Sequence, residues 1–178
     1  STSGSGVMNM YGEVPWEEWS GAIVGQKTDL DNFRSKRTQE KVRSLIEEIV
    51  DSEGPIQVEV LVRRVGMGFG FSRLAKDRAK SISHQISRAE VLTDPDGFVW
   101  TQGIDLDKWL VFRRSTGEQR RFEEIAPIEI ANAAWQLSLQ NDLPLSSPEL
   151  SQFVLEYFGR KKRTEGLNKH LAIGIAQA

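Results

Sequence analysis

The chain repeats its own hydrophobic pattern at a constant offset, and no other feature of its 178 residues constrains the fold as strongly. A shift of 89 residues carries Pro55 to Pro144, Gly70 to Gly159 and Lys80 to Lys169. Apolar positions follow the same shift without a gap, and the pairs include Ile46 and Trp135, Leu61 and Leu150, Val65 and Val154, Ile82 and Leu171, and Ile86 and Ile175. Self-similarity at a fixed period indicates a duplicated structural unit. We therefore expect two modules of the same fold.

The first predicted module spans residues 38–100 and begins with two helices. Thr38 is the predicted N-cap of the first helix, which the sequence Glu53-Gly54-Pro55 ends. Apolar residues recur in both helices at the spacing of a one-sided helix. They are Val42, Leu45, Ile46, Ile49 and Val50 in the first helix, and Val58, Leu61, Val62 and Val65 in the second. The glycines around Phe69 are expected to end the second helix.

A third helix and a hairpin complete this module. Ser72 is the predicted N-cap, and Ala75, Ala79, Ile82 and Ile86 form the predicted inward stripe. The opposite side is basic and polar, with Arg73, Lys76, Lys80, Ser83, His84 and Ser87. Two apolar runs, Val91-Leu92 and Phe98-Val99-Trp100, flank a turn at residues 94–97 and predict a β-hairpin. Three helices followed by a hairpin is the order of a winged helix, an elaborated helix-turn-helix.

The second predicted module spans residues 127–178. Pro127 suits the first turn of a helix, and Ser146 with Glu149 forms a predicted capping box for the next. Apolar stripes follow in the second and third helices, at Leu150, Phe153, Val154 and Phe158, and then at Leu167, Leu171 and Ile175. No hairpin follows, so we expect the second wing to be missing or supplied from outside the sequence. The predicted fold class is mainly α with small β-hairpins (α+β), built from tandem winged-helix-like (helix-turn-helix) repeats.

Two segments lie outside the modules. Residues 1–37 are interpreted as a tag remnant and an N-terminal extension, in which Trp16 and Trp19 share one side of a short helix docked on the first module. Residues 101–126 form a connector, either extended or folded as a second hairpin between 108–114 and 119–122. Its arginines are interpreted as either solvated charges or phosphate contacts. They are Arg113, Arg114, Arg120 and Arg121.

The sequence offers no constellation for catalysis. It has no cysteine, only two histidines, no HExxH motif and no Gly-x-Ser-x-Gly elbow. The run Gly21–Thr28 departs from a phosphate-binding loop, because only three residues separate its glycines and Gln26 precedes Lys27. We therefore predict no enzyme activity, metal, cofactor or small-molecule substrate for this chain. The absence of cysteine fits a cytoplasmic protein, and no apolar run approaches the roughly 20 residues of a membrane helix.

Several short motifs, taken in order, resemble a known bacterial family. They are Glu53-Gly54-Pro55-Ile56, Phe69-Gly70-Phe71-Ser72-Arg73, the stretch from Arg120 to Ala131, and Phe158-Gly159 with its basic tail. The chain resembles the domain of unknown function 3320 over roughly residues 38–178. That family occurs at the C-terminal end of superfamily-one helicase-like proteins, often beside a nuclease-like domain. The resemblance implies a nucleic-acid-processing context and provides no catalytic residues.

The distribution of basic residues indicates where a nucleic-acid-binding surface could lie. The net charge is −2, so any nucleic-acid contact must depend on local basic patches. We predict such patches around each third helix, since helix-turn-helix proteins place that helix in the major groove. The predicted nucleic-acid-binding residues are Arg73, Lys76, Lys80, Arg160, Lys161, Lys162, Arg163 and Lys169. The expected partner is nucleic acid, with DNA preferred. The alternative is a protein-interaction or packing module, with the helicase body of a parent protein as its partner.

Overall fold

A computed structural model describes residues 11–178 and divides them into two compact units. The first, called the central unit, is Glu17–Ile104. The second, called the terminal unit, combines residues 11–16 with Asp105–Ala178. The described residues form an α+β structure with six α-helices and two small sheets, which confirms the coarse fold class. None of these helices is both long and apolar enough to cross a membrane.

The central unit contains three helices and a three-stranded sheet. The helices are α1 (Lys36–Glu53), α2 (Val58–Gly68) and α3 (Lys76–Ile86). The strands β2 (Ile56–Gln57), β3 (Val91–Thr93) and β4 (Phe98–Thr101) form an antiparallel sheet in the order β2-β4-β3. The predicted hairpin is therefore present, and the short strand between α1 and α2 extends it. A 3-10 turn at Lys27–Asp31 precedes α1.

The apolar stripes predicted for α1 and α2 meet in one core. Val42, Ile46, Leu61 and Val65 are fully buried there, and Ile82 reaches them from α3. Burial of such side chains stabilises each by about 1.5–3 kcal/mol relative to exposure. The periodicity therefore identified the inward faces of these helices correctly.

Both helix starts predicted in this unit are wrong by about one turn. Ser35 caps α1, because its hydroxyl accepts a hydrogen bond from the backbone N–H of Thr38 at 3.4 Å. Helix α3 begins only at Lys76, so Ser72 caps nothing and Ala75 is exposed rather than inward-facing. The inward position near the start of α3 is taken by Leu74, which packs against the core from outside the helix.

The predicted tryptophan helix near the N-terminus does not form. Trp16 and Trp19 lie in non-helical backbone, and both are buried, but they belong to different units. Trp19 joins the central core, where its backbone N–H donates to Glu53 at 2.9 Å and its indole N–H donates to Glu48 at 2.8 Å. The docking on the first module is therefore confirmed for Trp19 only.

The terminal unit contains α4 (Pro127–Asn141), α5 (Pro148–Tyr157) and α6 (Glu165–Ala176). Strands β1 (Gly12–Pro15) and β5 (Val111–Arg114) form a parallel pair. Pro127 occupies the first turn of α4, as predicted. The cap of α5 is Ser147 rather than Ser146, since the Ser147 hydroxyl accepts from the backbone N–H of Leu150 at 3.4 Å. The core of the terminal unit includes Ile130, Leu150, Val154, Phe158 and Leu171.

The hairpin considered for residues 101–126 is not formed. Its first half supplies β5, which pairs with β1, and the second half ends in a 3-10 turn at Phe122–Glu124. A buried ionic cluster explains this choice, because Arg113 on β5 and Arg120 in the following loop both turn toward Glu129 on α4. Residues 105–126 lie within the terminal unit, and Phe112, Phe122 and Ile125 join its core.

Candidate nucleic-acid interface

Around α3, the three predicted binding residues are exposed. Arg73 lies in the loop before the helix, and Lys76 and Lys80 follow on α3 itself, four residues apart and hence on one face. Arg78 lies on the same helix but is held elsewhere, by an ion pair with Asp31 and by the Phe71 ring at 4.8 Å from its guanidinium carbon. The face that carries Lys76 and Lys80 is therefore open to solvent.

A second basic segment precedes α6. Lys161, Lys162 and Arg163 are exposed and Arg160 is half-buried, directly before Thr164, which caps the helix. The Thr164 hydroxyl accepts from the backbone N–H of Leu167 at 3.2 Å. Lys169 lies one turn further along α6 and is also exposed. The basic segment is thus anchored by a capped helix rather than placed in a long loop.

None of the eight predicted binding residues forms an ion pair with a carboxylate in the described part of the chain. Arg163 has neutral partners only, with its side-chain nitrogens 3.4 Å from the Gln152 amide oxygen and 3.5 Å from that of Asn168. By contrast, Arg64, Arg78, Arg113 and Arg120 all contact carboxylates. Cations without a carboxylate partner therefore lie around α3 and α6, where an anion could reach them, and others such as Arg34, Lys36 and Arg37 lie at the start of α1.

Basic residues at the amino ends of α3 and α6 are electrostatically unfavourable for the folded chain. The amino end of a helix carries a partial positive charge, so cations there are destabilising unless an anion is present. Lys76 occupies the first position of α3, and Arg163 lies just before the cap of α6. One acidic residue in each first turn, Asp77 and Glu165, offsets only part of this charge. Backbone N–H groups at such ends also suit phosphate oxygens.

The sequence reasoning missed a buried ionic cluster in the terminal unit. Glu129 is fully buried and accepts hydrogen bonds from Arg113 at 2.8 Å and from Arg120 at 2.9 Å. Arg120 also donates to the Arg113 carbonyl at 2.6 Å and to the Ser115 hydroxyl at 2.9 Å. Arg113 and Arg120 are therefore neither solvated charges nor phosphate contacts, which corrects both alternatives. Arg114 and Arg121 are exposed.

The pKa of Glu129 reflects two opposing effects. Burial raises the pKa of this carboxyl group, but the adjacent guanidinium groups of Arg120 and Arg113 outweigh it and hold the pKa at about 2. Burial lowers the pKa of Arg120, against the effect of Glu129. Glu129 is the only charged residue in the sequence of α4. That isolated charge in an apolar helix was the signal that could have predicted the cluster.

The two histidines have different environments. His84 is exposed on α3, as the periodicity predicted. His170 is half-buried on α6, where its Nε2 atom lies 2.7 Å from the Ile125 carbonyl and its ring packs edge-on against Phe122. Among residues 11–178, no group of three His, Asp or Glu side chains is arranged to hold a metal ion.

These features define a small α+β chain with exposed basic helix entrances. Residues 31–79 match the model of a family described as a protein of unknown function, DUF3320. The match covers α1, α2 and the beginning of α3, and over this part it confirms the resemblance inferred from the sequence motifs. No curated protein and no solved structure matches the chain.

Proposed function

We propose that this chain is a non-catalytic, nucleic-acid-binding accessory domain, with DNA as the preferred ligand. Binding is carried by the basic entrances of α3 and α6. Within the proposal, the chain belongs to a helicase-like protein and positions it on its substrate. The single observation that carries the proposal is the set of eight cations around these two helices that have no carboxylate partner among the described residues.

The element order of the central unit supports assignment to the winged helices. A short strand between the first and second helices pairs with a hairpin that follows the third helix. In DNA-binding proteins of the helix-turn-helix class, the last helix enters the major groove. Helix α3 is the last of the three helices in the central unit, and its exposed face carries Lys76 and Lys80.

Element bounds support a tandem repeat. Adding 89 to the bounds of α2, 58 and 68, gives 147 and 157, and α5 spans Pro148–Tyr157. Adding 89 to the bounds of α3, 76 and 86, gives 165 and 175, and α6 spans Glu165–Ala176. The starts of α3 and α6 therefore correspond under the repeat, which pairs Arg73 with Lys162 and Lys80 with Lys169.

The test is a titration of the full chain with duplex DNA, single-stranded DNA and RNA at two salt concentrations. Each cation that neutralises a phosphate releases counterions, so roughly 4 contacts give a slope of log K against log salt of about −3.5 on duplex DNA. We expect the variant with Lys161, Lys162 and Arg163 changed to Ala to bind more weakly and with a flatter slope. Circular dichroism checks that its helicity is unchanged.

The matched control removes three exposed cations elsewhere, by changing Arg34, Lys36 and Arg37 to Ala. This control has the same change in net charge but keeps the basic segment before α6. Equal weakening in both variants would mean that only total charge matters, and would overturn the proposed site. No binding by the unaltered chain at low salt would overturn nucleic-acid binding altogether.

A further inference from the structure

An apolar groove lies between α2 and α3 in the central unit, and the function proposed above uses two of its rim residues, Arg73 and Lys80, but not its apolar walls. Its volume is about 540 Å³, within the range of pockets that hold ligands or peptide side chains. The walls are formed by Val58 and Val62 from α2, Phe71 and Leu74 from the connecting loop, and Ala79 from α3. All five side chains are at least partly buried and pack on the central core.

The rim of this groove is positively charged. Arg73 and Lys80 line it, are exposed, and make no ion pair within residues 11–178. Arg63 lines it as well, and Glu59 is the one carboxylate among its lining residues. Arg73 and Lys80 against the single carboxylate of Glu59 favour an acidic occupant, while the walls favour apolar side chains.

Those two requirements together describe an amphipathic acidic peptide better than a nucleic acid. A phosphate backbone has no aliphatic side chains to fill the groove, and bases bind proteins chiefly by stacking on aromatic faces. The aromatic ring in this groove, Phe71, is already covered by the Lys27 ammonium at 5.4 Å and by the Arg78 guanidinium at 4.8 Å. We propose that the groove between α2 and α3 binds an acidic amphipathic helix of a partner protein, whose apolar side chains enter between the two helices.

The probe is a synthetic peptide of about 15 residues, with leucines at i, i+3, i+4 and i+7 and glutamates at most other positions. Its affinity for the full chain is measured by fluorescence anisotropy, without nucleic acid. Two comparison peptides are titrated in parallel. One has the same composition but a scrambled order, which separates charge from groove filling, and the other carries lysine in place of glutamate.

Three variants of the chain test the charge of the rim, and each is expected to change the affinity for the acidic peptide differently. Lys80→Glu should weaken binding of the acidic peptide by roughly three- to tenfold, because it reverses a rim charge. Glu59→Gln should strengthen it, because it removes the opposing carboxylate, and a strengthened variant cannot be explained by misfolding. Lys76→Glu is the matched control, since Lys76 lies on the same helix outside the groove, and its effect should be much smaller.

Equal affinity for the scrambled and amphipathic peptides would overturn the proposal, because the apolar walls would then have no role. Equal affinity for the glutamate peptide and the lysine peptide would also overturn the proposal, because the positive charge of the rim would then have no role. Since no nucleic acid is present in this assay, failure here leaves the proposed nucleic-acid binding untouched, and the salt titration decides that question separately.

Discussion

At the residue scale, the most consequential side chain is Glu129, which no motif singled out. Its carboxylate holds together β5, the loop after it and α4 through Arg113 and Arg120. A buried ion pair of this kind can cost as much to desolvate as it returns, but removal of one partner leaves an uncompensated buried charge. The cluster therefore fixes the arrangement of the terminal unit.

We expect Glu129→Gln to destabilise the terminal unit by about 3–5 kcal/mol, because it leaves two buried guanidinium groups without their anion. Urea unfolding followed by circular dichroism measures the loss. Glu118→Gln, an exposed glutamate in the preceding loop, is the control and should change stability by less than about 0.5 kcal/mol. A loss of similar size in both variants would contradict the assigned role of Glu129.

The lowered pKa of Glu129 predicts that the free energy of unfolding depends on pH. Its pKa is about 2 in the folded state against an ordinary value of 4.5, so the unfolded chain binds more protons between these values. The stabilisation is fully present above about pH 4.5 and is lost as the pH falls toward 2. We expect the stability difference between the unaltered chain and Glu129→Gln to shrink between pH 6 and pH 3. A constant difference would mean that folding does not shift the pKa of this carboxyl group.

At the element scale, the apolar spacing of the sequence predicted all six helices, but the N-caps predicted for α1, α3 and α5 were wrong. Val42, Leu61, Val65 and Leu150 are buried as predicted because the hydrophobic effect acts on whole stripes and tolerates small shifts. A cap depends on one hydroxyl, and several serines and threonines near each start compete for that position. The sequence does not show which of them has the extended backbone that a cap requires.

The capping assignments can be tested directly. Ser35→Ala should destabilise the central unit by about 1 kcal/mol, because it removes the acceptor at the start of α1. Ser72→Ala should change stability by less than about 0.5 kcal/mol, because α3 starts four residues later. Thermal unfolding of both variants measures the difference. A larger effect for Ser72→Ala would restore the helix start that the sequence alone predicted.

Two glycines of α6 should respond in opposite ways to alanine. A Cβ atom on Gly174 would lie 2.5 Å from Ile130 Cγ2 on α4, so Gly174→Ala should destabilise the terminal unit by about 1–3 kcal/mol. Gly166 is exposed in the first turn, with no atom closer than 3.7 Å to the added carbon, and alanine there should stabilise the helix by about 0.5 kcal/mol. Chemical denaturation compares the two. A gain for Gly174→Ala would contradict the close packing of α6 on α4.

At the scale of the whole molecule, the sequence predicted the helices better than the segments that join them. The strand β1 and the place of Trp16 in the terminal unit were not foreseen, because pairing of β1 with β5 joins residues almost 100 positions apart and has no local signature. For the candidate interface, the exposure of Lys76 and Lys80 followed from the helical period, whereas Arg73 lies in the loop before α3. The groove between α2 and α3 did not, because its shape depends on how Leu74 and Phe71 leave the helix.

The central unit should fold without the rest of the chain. Its core residues, from Trp19 to Val99, all lie within Glu17–Ile104, and domains of that size commonly fold alone. We expect a fragment of residues 17–104 to unfold cooperatively in urea. A shorter fragment of residues 36–104 is the control, since it lacks Trp19 and Leu30, which are 5% and 2% exposed in the unit.

Loss of two such side chains from a core costs several kcal/mol, about 3–5 for a tryptophan alone, so the shorter fragment should be much less stable or unfolded. The 17–104 fragment keeps three of the eight predicted binding residues, Arg73, Lys76 and Lys80. Its affinity for duplex DNA should therefore fall less steeply with salt than that of the full chain, since fewer counterions are released. A salt slope as steep as that of the full chain would remove α6 from the proposed interface, and non-cooperative unfolding of residues 17–104 would show that this core requires the terminal unit.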